Sequence, residues 1–346
     1  MHAIVIEAPG KAAVLERPIP QPKEGEALLK MLVGGVCGSD LASYRGQSAY
    51  VSYPRTIGHE FAAQVVETPP NEFGIRLGMV VTGNPYFNCG QCYSCRRGFV
   101  NACVNNQTMG VQREGAFSEY FTMPVERLYD GQGIAPKALA LVEPFCISYH
   151  GVSRVRPQPG EKVLVMGAGA IGTLAAVAAK CFGAQAYITD VAPGKVEAAV
   201  QDFGLDGGFV NDSPQALERF RQEITGEDGF DVTVEAVGAP ATFLDCVWAA
   251  ASRGRMVVIG VAKHSADFNF LELQRKELTI TGSRGATKED FAAVLKLVRE
   301  GAVDLTRLLS RTYPSREAAA AFQDMDQHAV QITKAEFAFC DPTSEI

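Results

Sequence analysis

Apolar and polar residues alternate from the first position, and Met1-His2-Ala3-Ile4-Val5-Ile6-Glu7 reads as a strand. Short runs of the same kind continue to about Val66, punctuated by Pro18-Ile19-Pro20, Pro22 and Gly25, which predicts an all-β module. Ala27 to Val33 is one of its strands. The stretch Gly34-Gly35-Val36-Cys37-Gly38-Ser39-Asp40 is expected to turn the chain sharply and leave Cys37 at the strand's end. The pattern changes after the Pro-rich junction Arg156 to Gly160. Glu161 to Met166 reads as a short buried strand, Thr173 to Phe182 as an almost wholly apolar helix ended by Gly183, and Ala186 to Asp190 as the next strand. Further strands over 231–238, 254–260 and 277–282, with helical patterns between them, predict a doubly wound parallel sheet. Thr287 then caps a helix with Phe291, Val294, Leu295 and Val298 on one face, and Val330 to Phe337 reads as a strand that returns to the first module.

Composition narrows the class. A chain of 346 residues suits two domains, and 47% hydrophobic with 21% charged residues is globular. Apolar runs such as Leu174 to Ala179 stop well short of the roughly 18 residues a membrane span needs, and the N-terminus lacks the basic and long apolar regions of a secretory signal. No membrane association and a cytoplasmic location are the expectation. A net charge of -7 without any Lys and Arg run argues against nucleic acid as a partner. Nine Cys, four of them between Cys89 and Cys103, point in a reducing compartment to metal rather than disulfides.

Three constellations carry chemistry. Gly58-His59-Glu60 sets an imidazole beside a carboxylate, downstream of Cys37 and upstream of Glu143. Zinc accepts sulfur, imidazole nitrogen and carboxylate oxygen, and a catalytic zinc keeps one position open, so Cys37, His59 and either Glu60 or Glu143 form a candidate catalytic site. Ser39 would bring a hydroxyl near a bound ligand, and Asp40 is placed to accept the second N-H of His59. Cys89, Cys92, Cys95 and Cys103 can close an all-sulfur shell around a second, structural zinc. Between the strand 161–166 and the apolar helix lies Gly167-Ala168-Gly169-Ala170-Ile171-Gly172, a Gly-x-Gly-x-x-Gly in the setting that marks a dinucleotide site. Gly167 serves the tight turn, Gly169 the approach of a pyrophosphate and Gly172 the packing of helix on strand. Asp190, about 20 residues on, is expected at the adenosine ribose, where its charge favours NAD over NADP.

Together these motifs resemble the zinc-dependent medium-chain alcohol and polyol dehydrogenases over essentially the whole chain. The resemblance implies a GroES-like β-barrel catalytic domain over 1–150, completed by about 286–346, and a Rossmann NAD-binding domain over 151–285, with the active site in the cleft between them. It implies reversible oxidation of a secondary alcohol with one catalytic and one structural zinc and NAD. Gly167, Gly169, Ala170, Ile171, Gly172, Asp190 and Lys195 would serve the cofactor, Lys195 by reaching the ribose. In the sorbitol dehydrogenase branch the ligands matching Cys37, His59 and Glu60 or Glu143 exchange, one carboxylate acting through water. Two positions depart from the family pattern: Ala42 replaces a relay histidine, and Ala63 a glycine. A homodimer or homotetramer is implied. Arg284 follows the last strand of the sheet, where ligands of open α/β sheets bind, and suits the carboxylate of a sugar acid such as an aldonate. A neutral polyol is the alternative substrate, and a dinucleotide sensor without catalysis the alternative of another class.

Overall fold

The computed structural model describes residues 1–339, so residues 340–346 of the segment expected to complete the first domain lie outside the described residues. Two compact units form, one from Met1–Glu143 together with the chain from Thr287 onward, the other from Pro144–Ala286. The expected boundary at 150 falls inside the helix Val142–Val155.

The first unit begins with β1 (His2–Ala8), β2 (Lys11–Glu16), β3 (Glu26–Val36), β4 (Arg55–Thr56), β5 (Glu60–Glu67), β6 (Val80–Gly83), β7 (Tyr86–Phe87), β8 (Gln107–Thr108), β9 (Tyr120–Pro124) and β10 (Leu128–Asp130). The second unit holds β11 (Lys162–Met166), β12 (Gln185–Asp190), β13 (Gly207–Val210), β14 (Phe230–Glu235), β15 (Ala250–Val258) and β16 (Thr279–Gly282). The chain then returns to the first unit with β17 (Arg311–Pro314) and β18 (Ala335–Ala338).

Strand β3 is the spine of the first unit. Its first half pairs with β9 and its last residues with β18, while β5 runs along its other edge, all antiparallel. The glycines expected to turn the chain lie inside this strand. They are needed there for room: a Cβ on Gly34 would sit 2.4 Å from the Phe117 ring, and one on Gly35 would sit 2.2 Å from Glu60 Oε2. The turn comes only at Cys37, which precedes the short helix Gly38–Tyr44. Apolar side chains of β1, β3, β5, β9 and β18 pack with Phe117 and Phe322 into one core, in which Phe117 meets Phe337 edge-on at 5.6 Å.

The returning strand is shorter than its pattern suggests. Amides of Gln331 and Ile332 donate to the His328 carbonyl, winding the chain into a helix end, so only Ala335–Ala338 joins the sheet. The helix Lys288–Arg299 starts as the sequence predicts. Thr287 Oγ1 accepts the Asp290 N-H, and Asp290 Oδ2 accepts the Thr287 N-H at 2.7 Å.

In the second unit six parallel strands follow the order β13-β12-β11-β14-β15-β16, a doubly wound α/β sheet. Its first helix, Ala170–Cys181, begins three residues earlier than the apolar run, inside the glycine motif. No helix among the described residues is long and apolar enough to cross a membrane.

Candidate functional site

Cys37, His59 and Glu60 stand where two adjacent strands end and begin. Cys37 directly follows β3, and His59 immediately precedes Glu60, the first residue of β5 and the partner of Gly35. Their sulfur, nitrogen and oxygen donors lie within 4.8 Å of one another. Ligands of a tetrahedral zinc stand about 3.5 Å apart, so small side-chain shifts would close the three onto one ion. His59 and Glu60 are buried and Cys37 is half-buried.

Asp40 takes a different role from the one its position suggested. Its Oδ2 accepts the Cys37 N-H at 2.9 Å and its Oδ1 the Gly58 N-H at 3.2 Å, while His59 Nδ1 has no hydrogen-bond partner. A short polar side chain at the third position of a helix bonds most readily to backbone N-H groups. Asp40 therefore ties together the two segments that carry the donors. Burial pushes its carboxyl up, an effect that the neighbouring imidazole and these two N-H groups oppose.

The surroundings of His59 favour a cation. Burial pulls its pKa down, yet the charges of Cys37, Asp40 and Glu143 outweigh burial and raise it well above the ordinary range. The thiol, imidazole and carboxylate gathered here are the donor types zinc accepts, so the set fits a divalent zinc. Glu143, in the first turn of Val142–Val155, lies outside the three-donor cluster and accepts a hydrogen bond from the Tyr86 hydroxyl. Burial, helped by the charge of Glu60, pushes its carboxyl up to about 7. Ser39 Oγ is buried without a partner, free to bond to a ligand.

Two residues here escaped the sequence reading. Lys334, 4% exposed, places Nζ 2.6 Å from Glu60 Oε1 and 2.5 Å from Oε2. Burial would lower its pKa, but Glu60 and then Cys37 raise it overall. The available signal was a lysine within a stretch read as a returning strand. Tyr86 gave none, being one aromatic in the two-residue strand β7.

The second constellation closes as a compact shell. Sγ atoms of Cys89, Cys92, Cys95 and Cys103 lie within 4.8 Å of one another, with contacts of 3.5 Å for Cys92 to Cys95, 3.9 Å for Cys92 to Cys103 and 3.5 Å for Cys103 to Cys89. Four sulfurs around zinc stand about 3.8 Å apart, so the set fits. Backbone N-H groups of Cys95 and Val104 lower the Cys92 thiol to about 6, favouring the thiolate a metal requires.

In the second unit the glycine motif joins β11 to the helix Ala170–Cys181. Gly167 takes φ +104°, and a Cβ on Gly172 would sit 1.8 Å from the Gly167 carbonyl oxygen, which leaves hydrogen as the only tolerated substituent. Gly169 precedes the helix, and no side chain caps it. Its first N-H groups suit a pyrophosphate. Asp190 ends β12, and its oxygens accept the N-H groups of Ala168 and Ala192 at 2.8 and 3.0 Å, holding the carboxylate against the glycine loop. Lys195 lies in the helix Pro193–Phe203. Arg284 is exposed just beyond the C-terminal end of edge strand β16.

Comparison with known proteins follows the same division. Residues 23–132 match the model of the alcohol dehydrogenase GroES-like domain, and residues 170–300 that of the zinc-binding dehydrogenase domain. The chain is 34% identical to L-galactonate-5-dehydrogenase of Escherichia coli K12 over 93% of its own length and 94% of the relative's. Among solved structures, a dehydrogenase (RspB) of E. coli CFT073 complexed with NADH superposes with a TM-score of 0.90 at 28% identity, covering 98% of this chain and 99% of that one. L-idonate 5-dehydrogenase of E. coli K-12 does so with a TM-score of 0.88 at 26% identity, covering 98% of both.

Proposed function

Because the chain belongs to the zinc-binding alcohol dehydrogenase family, we propose that it catalyses reversible hydride transfer between NAD and a secondary alcohol of a sugar acid such as an aldonate. The observation that carries this reading is the cluster of Cys37, His59 and Glu60, whose donor atoms lie within 4.8 Å of one another, with the Ser39 hydroxyl two residues from Cys37 buried and unpartnered. Bound there, zinc supplies Lewis acidity, which takes the pKa of coordinated water from 15.7 to about 7 and acts likewise on an alcohol.

This chain's residues do the rest. Cys37, His59 and Glu60 would hold the metal, and Glu143, which accepts the Tyr86 hydroxyl, would be the second carboxylate for an exchange. Ser39 Oγ would accept the hydrogen bond of the substrate hydroxyl and take its proton, giving up its own hydroxyl proton to water, as the C-H hydride leaves for the nicotinamide of NAD and the alcohol carbon becomes a ketone. The amides at Gly169, Ala170 and Ile171 bind the pyrophosphate, and Asp190 with Lys195 binds the adenosine ribose. Arg284 pairs with the substrate carboxylate. Sugar acids are favoured over neutral polyols by that arginine and by the galactonate and idonate dehydrogenases among the similar proteins.

The enzyme works in the cytoplasm, where the eight described cysteines stay reduced, as a homodimer or homotetramer formed through edge strand β16 and the exposed Phe270 and Leu271. Steady-state assays with aldonates, sugar phosphates and neutral polyols, on wild type and Arg284→Leu, test the substrate. An aldonate should react best and lose most in the variant. Preference for neutral polyols, or an equal loss for acidic and neutral substrates, would reject the acid-binding role.

A further inference from the structure

The carboxylate of Glu60 is fixed from two sides. Both of its oxygens lie within 2.6 Å of Lys334 Nζ, and the missing side chain of Gly35 leaves the space that Oε2 fills. Lys334 comes from 274 residues away. Pairing of Ala335 with Val36 sets it level with Cys37, and its carbonyl accepts the Ser310 N-H at 2.8 Å. Both partners are buried, so water neither screens the pair nor replaces either member.

The same carboxylate is one of the three clustered donors. An ammonium and a zinc ion compete for one set of lone pairs, and the ammonium also repels the ion. Resting on the zinc site proposed above, we propose that Lys334 is a positioning residue that keeps Glu60 a weak, exchangeable zinc ligand, so that a substrate hydroxyl can take its place. Without Lys334, Glu60 brings its whole charge to the metal and the site stays closed.

The test follows zinc release from the holoenzyme into excess chromogenic chelator. The phase belonging to this site is the one absent from Cys37→Ser. In Lys334→Met that phase should slow by about tenfold or more, the lower end of what neighbours of metal ligands contribute. Lys334→Arg should stay close to wild type, and in a Glu60→Gln background Lys334→Met should change nothing. The cobalt-substituted Lys334→Met protein should show altered visible bands that no longer respond to substrate, a readout that loss of folding stability alone would not produce. Lys334→Gln, which keeps an N-H donor without the charge, gives the same comparison if the Met variant does not fold.

An unchanged phase in both neutral variants, or equal slowing in the Glu60→Gln background, overturns the role of Lys334 alone. Identical release from wild type and Cys37→Ser overturns the zinc site and this inference with it.

Discussion

The chemistry rests on single residues whose neighbours decide what they can do. Cys37, His59 and Glu60, which the fold brings together, could be picked out of the sequence because thiol, imidazole and carboxylate are the zinc-binding side chains, and few positions combine them. Their supports could not. Lys334 reaches Glu60 only through strand pairing across most of the chain, and Asp40 turns to two backbone N-H groups rather than to His59. Such contacts depend on the fold, and local pattern does not encode them. Ser39→Ala is expected to lower kcat by about 10² to 10⁴ fold, the range for a lost proton-transfer group, with NADH affinity unchanged in a fluorescence titration; a kcat within a few-fold of wild type would remove Ser39 from proton transfer. Asp190→Ala should lose preference for NAD over NADP in steady-state kinetics, because the carboxylate that repels a 2'-phosphate is gone. Comparable use of both cofactors by the wild type would contradict that role.

At the scale of elements, periodicity carried further than boundaries did. The strand-glycine-helix unit was readable because Gly-x-Gly-x-x-Gly and Asp190 stand where β11, its helix and β12 place them. Gly34 and Gly35 misled: glycine signals a turn locally, but here it makes room within β3 for Phe117 and Glu60. Val330 to Phe337 misled in the opposite sense, since helix-end hydrogen bonds to His328 consume its first residues. Gly172→Ala tests the glycine loop. Its Cβ collides with a backbone carbonyl rather than a mobile side chain, so NADH binding should weaken by at least about tenfold, roughly 1.4 kcal/mol, while zinc content stays at the wild-type value. Retained NADH affinity would show that the loop adapts. Cys92→Ser acts on a different element. Because structural zinc contributes folding free energy directly, this variant should lose one zinc and melt at a lower temperature; lost activity at unchanged Tm and zinc content would contradict a structural role.

Over the whole molecule, the candidate metal residues and the glycine motif fall in different units. The cluster of Cys37, His59 and Glu60 and the four-cysteine lobe lie in the first, and the glycine loop with Asp190 in the second. Each half carries its own motif in the sequence, and the family models match residues 23–132 and 170–300 separately. The central claim is that Cys37 helps hold a zinc on which turnover depends. Metal analysis of wild type and Cys37→Ser, with aldonate-dependent NADH formation and NADH titration on the same samples, tests it most directly. About two zincs per wild-type chain and one in the variant are expected, with turnover abolished and NADH binding intact. Equal zinc content and near-normal turnover in Cys37→Ser would contradict it.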